Sequence, residues 1–133
     1  MNYGELIRLY FERSSSLQWY WTLYVIVIGG LLAFSSMRQR PDLVTAGLVT
    51  VLFCFFAYKN LDAIHDVILQ RIAVLELIRG IAPKTDLIGT LVAPEYGGVR
   101  SFHVASDLLT IAAVWAMEWR RWRCRRKDQL PNG

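Results

Sequence analysis

Three groups of residues in this chain have the types and spacing to do chemistry. Asp62, His65 and Asp66 stand at i, i+3 and i+4, and His103 and Asp107 at i, i+4. On helices each set shares a face, and imidazole with carboxylate is a ligand set that divalent metals accept. The second group is ionisable: Arg71, Glu76 and Arg79 sit in a strongly amphipathic stretch. With His65, His103, Asp107, Thr110 and Glu118 they form a candidate polar seam. Charges at membrane depth are expensive to keep, so such a seam is either an ion or proton path or a set of charges paired to hold helices together. The third group is basic. Arg120, Arg121, Arg123, Arg125, Arg126 and Lys127 lie within eight residues near the C-terminus. After a membrane helix such a cluster is retained on the cytoplasmic side and attracts anionic headgroups, a topology and lipid anchor.

No nucleophile–base–acid arrangement, Gly-rich phosphate loop or zinc motif is visible. No catalytic residue, resident metal or cofactor is therefore assigned. A nucleic-acid partner needs a reading module as well as basic charge, and none is present. Cys54 lies in an apolar run and Cys124 among arginines, so placement speaks against a disulfide.

The elements that must position these groups are set by hydrophobicity. Leu17 to Ser36 has no charged residue, and neither has Leu43 to Tyr58. A hydrocarbon core of ~30 Å needs roughly 20 helical residues. Residues 17–36 and 42–60 therefore read as membrane helices. The first is too long for a cleaved signal peptide, and its upstream flank, with Glu5 and Glu12 beside Arg8 and Arg13, is not basic. Residues 1–16 carry Tyr3, Leu6, Ile7, Tyr10 and Phe11 at helical spacing and read as a surface helix. Ser14, Ser15 and Ser16 offer a cap for the helix that follows. Gly29 with Ala33, and Ala46 with Thr50 and Cys54, form small-residue stripes along which two helices can pack closely.

Residues 61–82 are amphipathic, either a surface helix or a third crossing. Residues 83–100 read as a loop from their prolines and glycines, 101–122 as the last membrane helix, and 123–133 as a basic tail. If 61–82 crosses, nine Lys and Arg lie with the tail and four on the far side; if not, the split is eight to seven. The positive-inside rule favours four crossings. An antiparallel hairpin of 61–82 with 101–122 then sets Asp62 beside Arg121, His65 beside Glu118, and Glu76 or Arg79 beside Asp107 and His103.

One fragment resembles a known family. Ala82-Pro83-Lys84-Thr85-Asp86-Leu87-Ile88-Gly89-Thr90-Leu91 is similar to the A-P-x-x-G-L-L-G-T-V stretch of the MotA/TolQ/ExbB proton-channel family, and Leu108 to Ala113 to part of its last helix. The resemblance implies Thr90 and Thr110 as pore-lining positions. It covers about a third of the chain. It departs where Asp86 replaces a glycine, where Pro94 to Gly98 interrupts an apolar helix, and in lacking a large cytoplasmic segment.

The expectation is an all-α, multi-pass integral membrane bundle. It has four helices after a short surface helix, three or four of them crossing. It lies in a bacterial-type plasma (inner) membrane with the C-terminus cytoplasmic. Its function is that of a non-enzymatic subunit packing with itself or a larger membrane partner in the bilayer. The alternatives are an oligomeric ion- or proton-conducting pore along the seam, and a metal-binding enzyme subunit using His65 and His103.

Overall fold

The computed structural model describes residues 2–81, 91–92 and 94–128. They form three long helices: α1 (Tyr3–Met37), α2 (Leu43–Ile81) and α3 (Tyr96–Asp128). The fold is all-α, but the expected four helices after a surface helix are three. Two expected breaks do not occur.

The first is at Ser14–Ser16. Their hydroxyls donate back to the carbonyls of Tyr10, Phe11 and Glu12 at 3.0, 3.2 and 3.1 Å. Serines satisfied within the ladder do not cap, so the surface helix and the first apolar run are one element. The cap lies at Asn2 instead. Its side chain accepts from the Gly4 N–H while Glu5 accepts from the Asn2 N–H, as in a capping box. The second is at Lys59-Asn60. No proline stands between Val44 and Arg79, and Asn60 is buried in the helix–helix seam. Nothing there breaks the ladder, so 42–60 and 61–82 join into α2.

Asp42 caps α2, accepting from the Val44 and Thr45 N–H groups at 3.1 Å. Pro41 thus lies just outside that helix. The last helix begins at Tyr96, inside the expected loop, and runs on through most of the basic tail.

Helices α1 and α2 form an antiparallel pair. Leu6 and Tyr10 pack on Val74, Leu75 and Ile78 at one end; Leu17 packs on Ile64, Val67 and Ile68 further in. Helix α3 runs alongside the apolar portions of both. His65 stacks on Tyr96 with ring centroids 4.2 Å apart, Trp115 Nε1 donates to Thr50 at 3.2 Å, and Glu118 accepts from the Asp42 N–H. Position thus falls along α2 as it rises along α3. Residues 3–16 of α1 and the last two fifths of α2 extend past the start of α3 as a two-helix projection, ~20 Å long at 1.5 Å per residue.

Helices α1 and α2 are each long and apolar enough to cross a membrane. Only 11% and 22% of their most apolar windows is buried inside the protein. The core helix of a water-soluble domain turns its apolar surface inward; here Val25, Ile26, Val44, Leu48 and Phe55 face outward. These two helices suggest a membrane protein.

Candidate functional site

Two polar clusters tie the three helices together, and both differ from the expected seam. The first joins Tyr24 of α1, Asn60 of α2 and His103 and Asp107 of α3. His103 is fully buried. Its Nδ1 lies 2.9 Å from Asp107 Oδ2, one helical turn on. Tyr24 donates its hydroxyl to Asp107 Oδ1 at 2.7 Å and lies 3.2 Å from the His103 carbonyl. The Tyr24 and His103 rings stack with centroids 4.1 Å apart. Asn60 Nδ2 is 3.2 Å from His103 Nε2.

Both ring nitrogens of His103 thus have a polar partner, Nδ1 at Asp107 and Nε2 at the Asn60 amide. Among the described residues Asn60 Oδ1 has no partner.

The second cluster lies at the α1–α2 turn. Glu118 is buried, and its carboxylate receives Arg121 Nη1 at 2.7 Å, the Asp42 N–H, and Arg38 at 3.7 Å. Arg121 also donates to the carbonyls of Arg38, at 2.7 Å, and Ser35. One side chain from α3 thus holds the last residues of α1 and the first of α2. Asp42 carries a carboxyl held below its ordinary range, first by the Thr45 hydroxyl, then by the Thr45 N–H.

The expected hairpin pairing does not occur. Asp62 faces Lys59 at 3.5 Å rather than Arg121, and His65 faces Tyr96 rather than Glu118. Glu76 and Arg79 are exposed on the projection, where Arg79 reaches the Leu91 carbonyl at 3.4 Å. Arg71 is buried there too. It donates to the Tyr10 hydroxyl at 2.9 Å, while Tyr10 donates to the Val92 carbonyl at 3.1 Å. Its partner Tyr10 lies about two turns before the apolar run of α1, so its charge does not stand at the depth a third crossing by 61–82 would impose. Thr110 is buried and donates to the Ser106 carbonyl at 2.8 Å.

Of the small-residue positions, Ala46 is buried and Thr50 half-buried, whereas Gly29, Ala33 and Cys54 face outward. The two stripes therefore do not pack on each other. In the tail, Arg123 stacks on Trp119 and Arg126 on Trp122. Arg120, Arg125 and Lys127 are exposed. Among the described residues no group of three or more His, Cys, Asp or Glu could hold a metal ion. His65 and His103 thus do not come together in a metal site there.

Sequence reasoning missed Tyr24, Asn60, Arg38 and Asp42. Tyr24 reads as an interface aromatic, but it shares a face with Leu17, Tyr20 and Trp21, which was the available signal. Asn60 falls in line with Phe53, Ala57 and Ile64, a polar position in a buried stripe. Compared with protein families, curated proteins and solved structures, the chain matches none. The fragment likeness to proton channels thus has no family match behind it. Lys84, Thr90 and the rest of 82–90 lie outside the described residues.

Proposed function

We propose that this chain is a non-enzymatic integral membrane subunit that packs with a second copy of itself or with a larger membrane partner. Each of its three helices crosses the bilayer once. The observation that carries the reading is the outer face of α1. Gly29, Gly30 and Ala33 lie open there, and a Cβ added at either glycine meets nothing within 4 Å. In lipid a small-residue face lets a neighbouring backbone approach closely, which is how membrane helices associate.

The pairing of the inward polar groups supports a structural role over a conducting seam. Asp107 is held by Tyr24 and His103 and Glu118 by Arg121 and the α2 N-terminus; Arg71 donates to the Tyr10 hydroxyl, while its Nε has no partner among the described residues. Helix α3 crosses because its register against Thr50, Asn60 and Tyr24 matches the apolar runs of α1 and α2. Arg38 and Arg40 share one end with the basic residues that close α3, so the positive-inside rule makes that end cytoplasmic, in a plasma (inner) membrane. The projection of α1 and α2 then stands outside.

Topology is read by labelling single cysteines at Asn2, Gln39 and Tyr96 in a chain lacking Cys54 and Cys124. Asn2 and Tyr96 are modified from outside and Gln39 is not; opposite labelling of Asn2 and Tyr96 refutes three crossings. Association is read by cross-linking in native membranes. Gly29→Ile disperses the complex while the purified variant stays folded. A protein that remains monomeric and carries protons across liposomes refutes the subunit reading.

A further inference from the structure

At the α1–α2 turn the protein opens a cavity of about 880 Å³ whose wall holds five arginines, Arg38, Arg40, Arg120, Arg121 and Arg125, with Cys124 beside them. Two carboxylates reach this neighbourhood. Glu118 holds Arg121 at 2.7 Å and Arg38 at 3.7 Å, and Asp42 faces Arg38 at 3.7 Å. Among the described side chains no carboxylate lies within 4.0 Å of Arg40 or Arg120. Two guanidiniums are thus fixed in place, and among the described side chains Arg40 and Arg120 line the opening without a paired carboxylate, with Arg125 beside them. Gathered like charges repel one another, and an anion among them relieves that repulsion.

We infer that this cavity binds a phosphate-bearing anion, with the guanidinium forks donating to its oxygens. The inference rests on the membrane reading above for its favoured source, a lipid headgroup. The cavity lies where the apolar runs end. Met37, Leu43 and Trp119 stand exposed beside that turn at 80%, 60% and 56%, a surface suited to glycerol and acyl chains. Basic pockets between membrane helices on the cytoplasmic side are where anionic headgroups bind. The site is distinct from a diffuse basic tail. It requires Arg38 and Arg40 from the turn, and it leaves out Arg123 and Arg126, which stack on tryptophans.

The test uses the full chain with Cys54→Ala, so that Cys124 reports on the cavity through its modification rate by an anionic thiol reagent. Native mass spectrometry counts retained lipid. Phosphatidylglycerol in a phosphatidylcholine background is retained and slows Cys124 modification. Arg40→Gln with Arg120→Gln weakens that retention roughly twenty-five-fold, at about fivefold per arginine. Arg123→Gln with Arg126→Gln weakens it less than about threefold. Arg125→Gln alone, roughly fivefold, serves if the double variant does not fold. Protection of Cys124 by millimolar inorganic phosphate, with no preference among lipids, supports the cavity and assigns its anion to solution. Equal losses in the two double variants, or no protection by either probe, overturn the inference. If the protein proves soluble without detergent, the membrane reading fails, while the phosphate measurement still decides the cavity.

Discussion

Replacing Glu118 by alanine removes the side chain of α3 that, together with Arg121, ties the end of α1 and the start of α2 at their shared end. The carboxylate is buried, with 2% of its surface exposed. It carries a charge-assisted bond from Arg121 at 2.7 Å and a bond from the Asp42 N–H, with Arg38 further off at 3.7 Å. A hydrogen bond to a charged group contributes about 1.5–3 kcal/mol and an ordinary one about 1 kcal/mol. Stripping one partner from a fully buried pair costs about 3–5 kcal/mol. The arginines keep 12% and 16% of their side-chain surface in contact with solvent, so the lower end of that range applies. Glu118→Ala should therefore cost about 3 kcal/mol. Glu118→Gln retains an oxygen for the Asp42 N–H but loses the charge and turns an amide NH2 toward Arg121 in place of an acceptor, so it should cost about 2 kcal/mol. The assay is unfolding by a denaturing detergent in mixed micelles, followed by tryptophan fluorescence from Trp115 and Trp119. Glu76→Ala, on the exposed projection, is the control and should shift stability by less than about 0.5 kcal/mol. A Glu118→Ala protein no less stable than the control refutes the clamp. Equal losses for alanine and glutamine refute the contribution of the Asp42 contact.

Tyr24→Phe deletes the hydroxyl on Asp107 and should cost about 0.6–1.7 kcal/mol in the same assay; combined with Asp107→Asn, the two losses should fall short of additive by at least about 0.5 kcal/mol. Stability supplied by the Asp42 cap is present above the ordinary carboxylate range and lost as pH falls through the lowered folded value, and Asp42→Asn should remove that acid-side dependence. Gly80→Ala should stabilise the projection by about 0.5–1 kcal/mol, because Gly80 is helical without a positive φ and its Cβ would meet nothing within 4 Å; hydrogen exchange at the end of α2 checks it.

Much of the local structure is legible in particular residues. The charge-free runs mark the apolar stretches, and of the apolar face Leu61, Ile64, Val67, Ile68, Ile72, Leu75 and Ile78, all but Leu61 and Ile72 are buried in α2, Ile72 turning outward. Arg71 in that stripe signals a buried partner, which is Tyr10. The breaks are misread because Ser14–Ser16 and Lys59-Asn60 have two local solutions each. A serine hydroxyl can cap a new helix or bond back to the preceding turn, and an asparagine can open a turn or face another helix. Which one is taken depends on what packs nearby.

The chain's own composition and periodicity settled that it is helical, that two of its helices are apolar enough for lipid, and that its positive charge gathers at one end. Those properties follow from each residue's transfer energy and from the 3.6-residue turn, which need no knowledge of neighbours. Which charges meet was decided only in three dimensions. Helix α3 slid along α2 to a register that brought His103 to Asn60 and Glu118 to Asp42, instead of carrying Asp107 and His103 to Glu76 and Arg79. That register is chosen by the joint fit of three helices, Tyr24 of α1 included, and no pairwise pattern along the chain encodes a three-body fit.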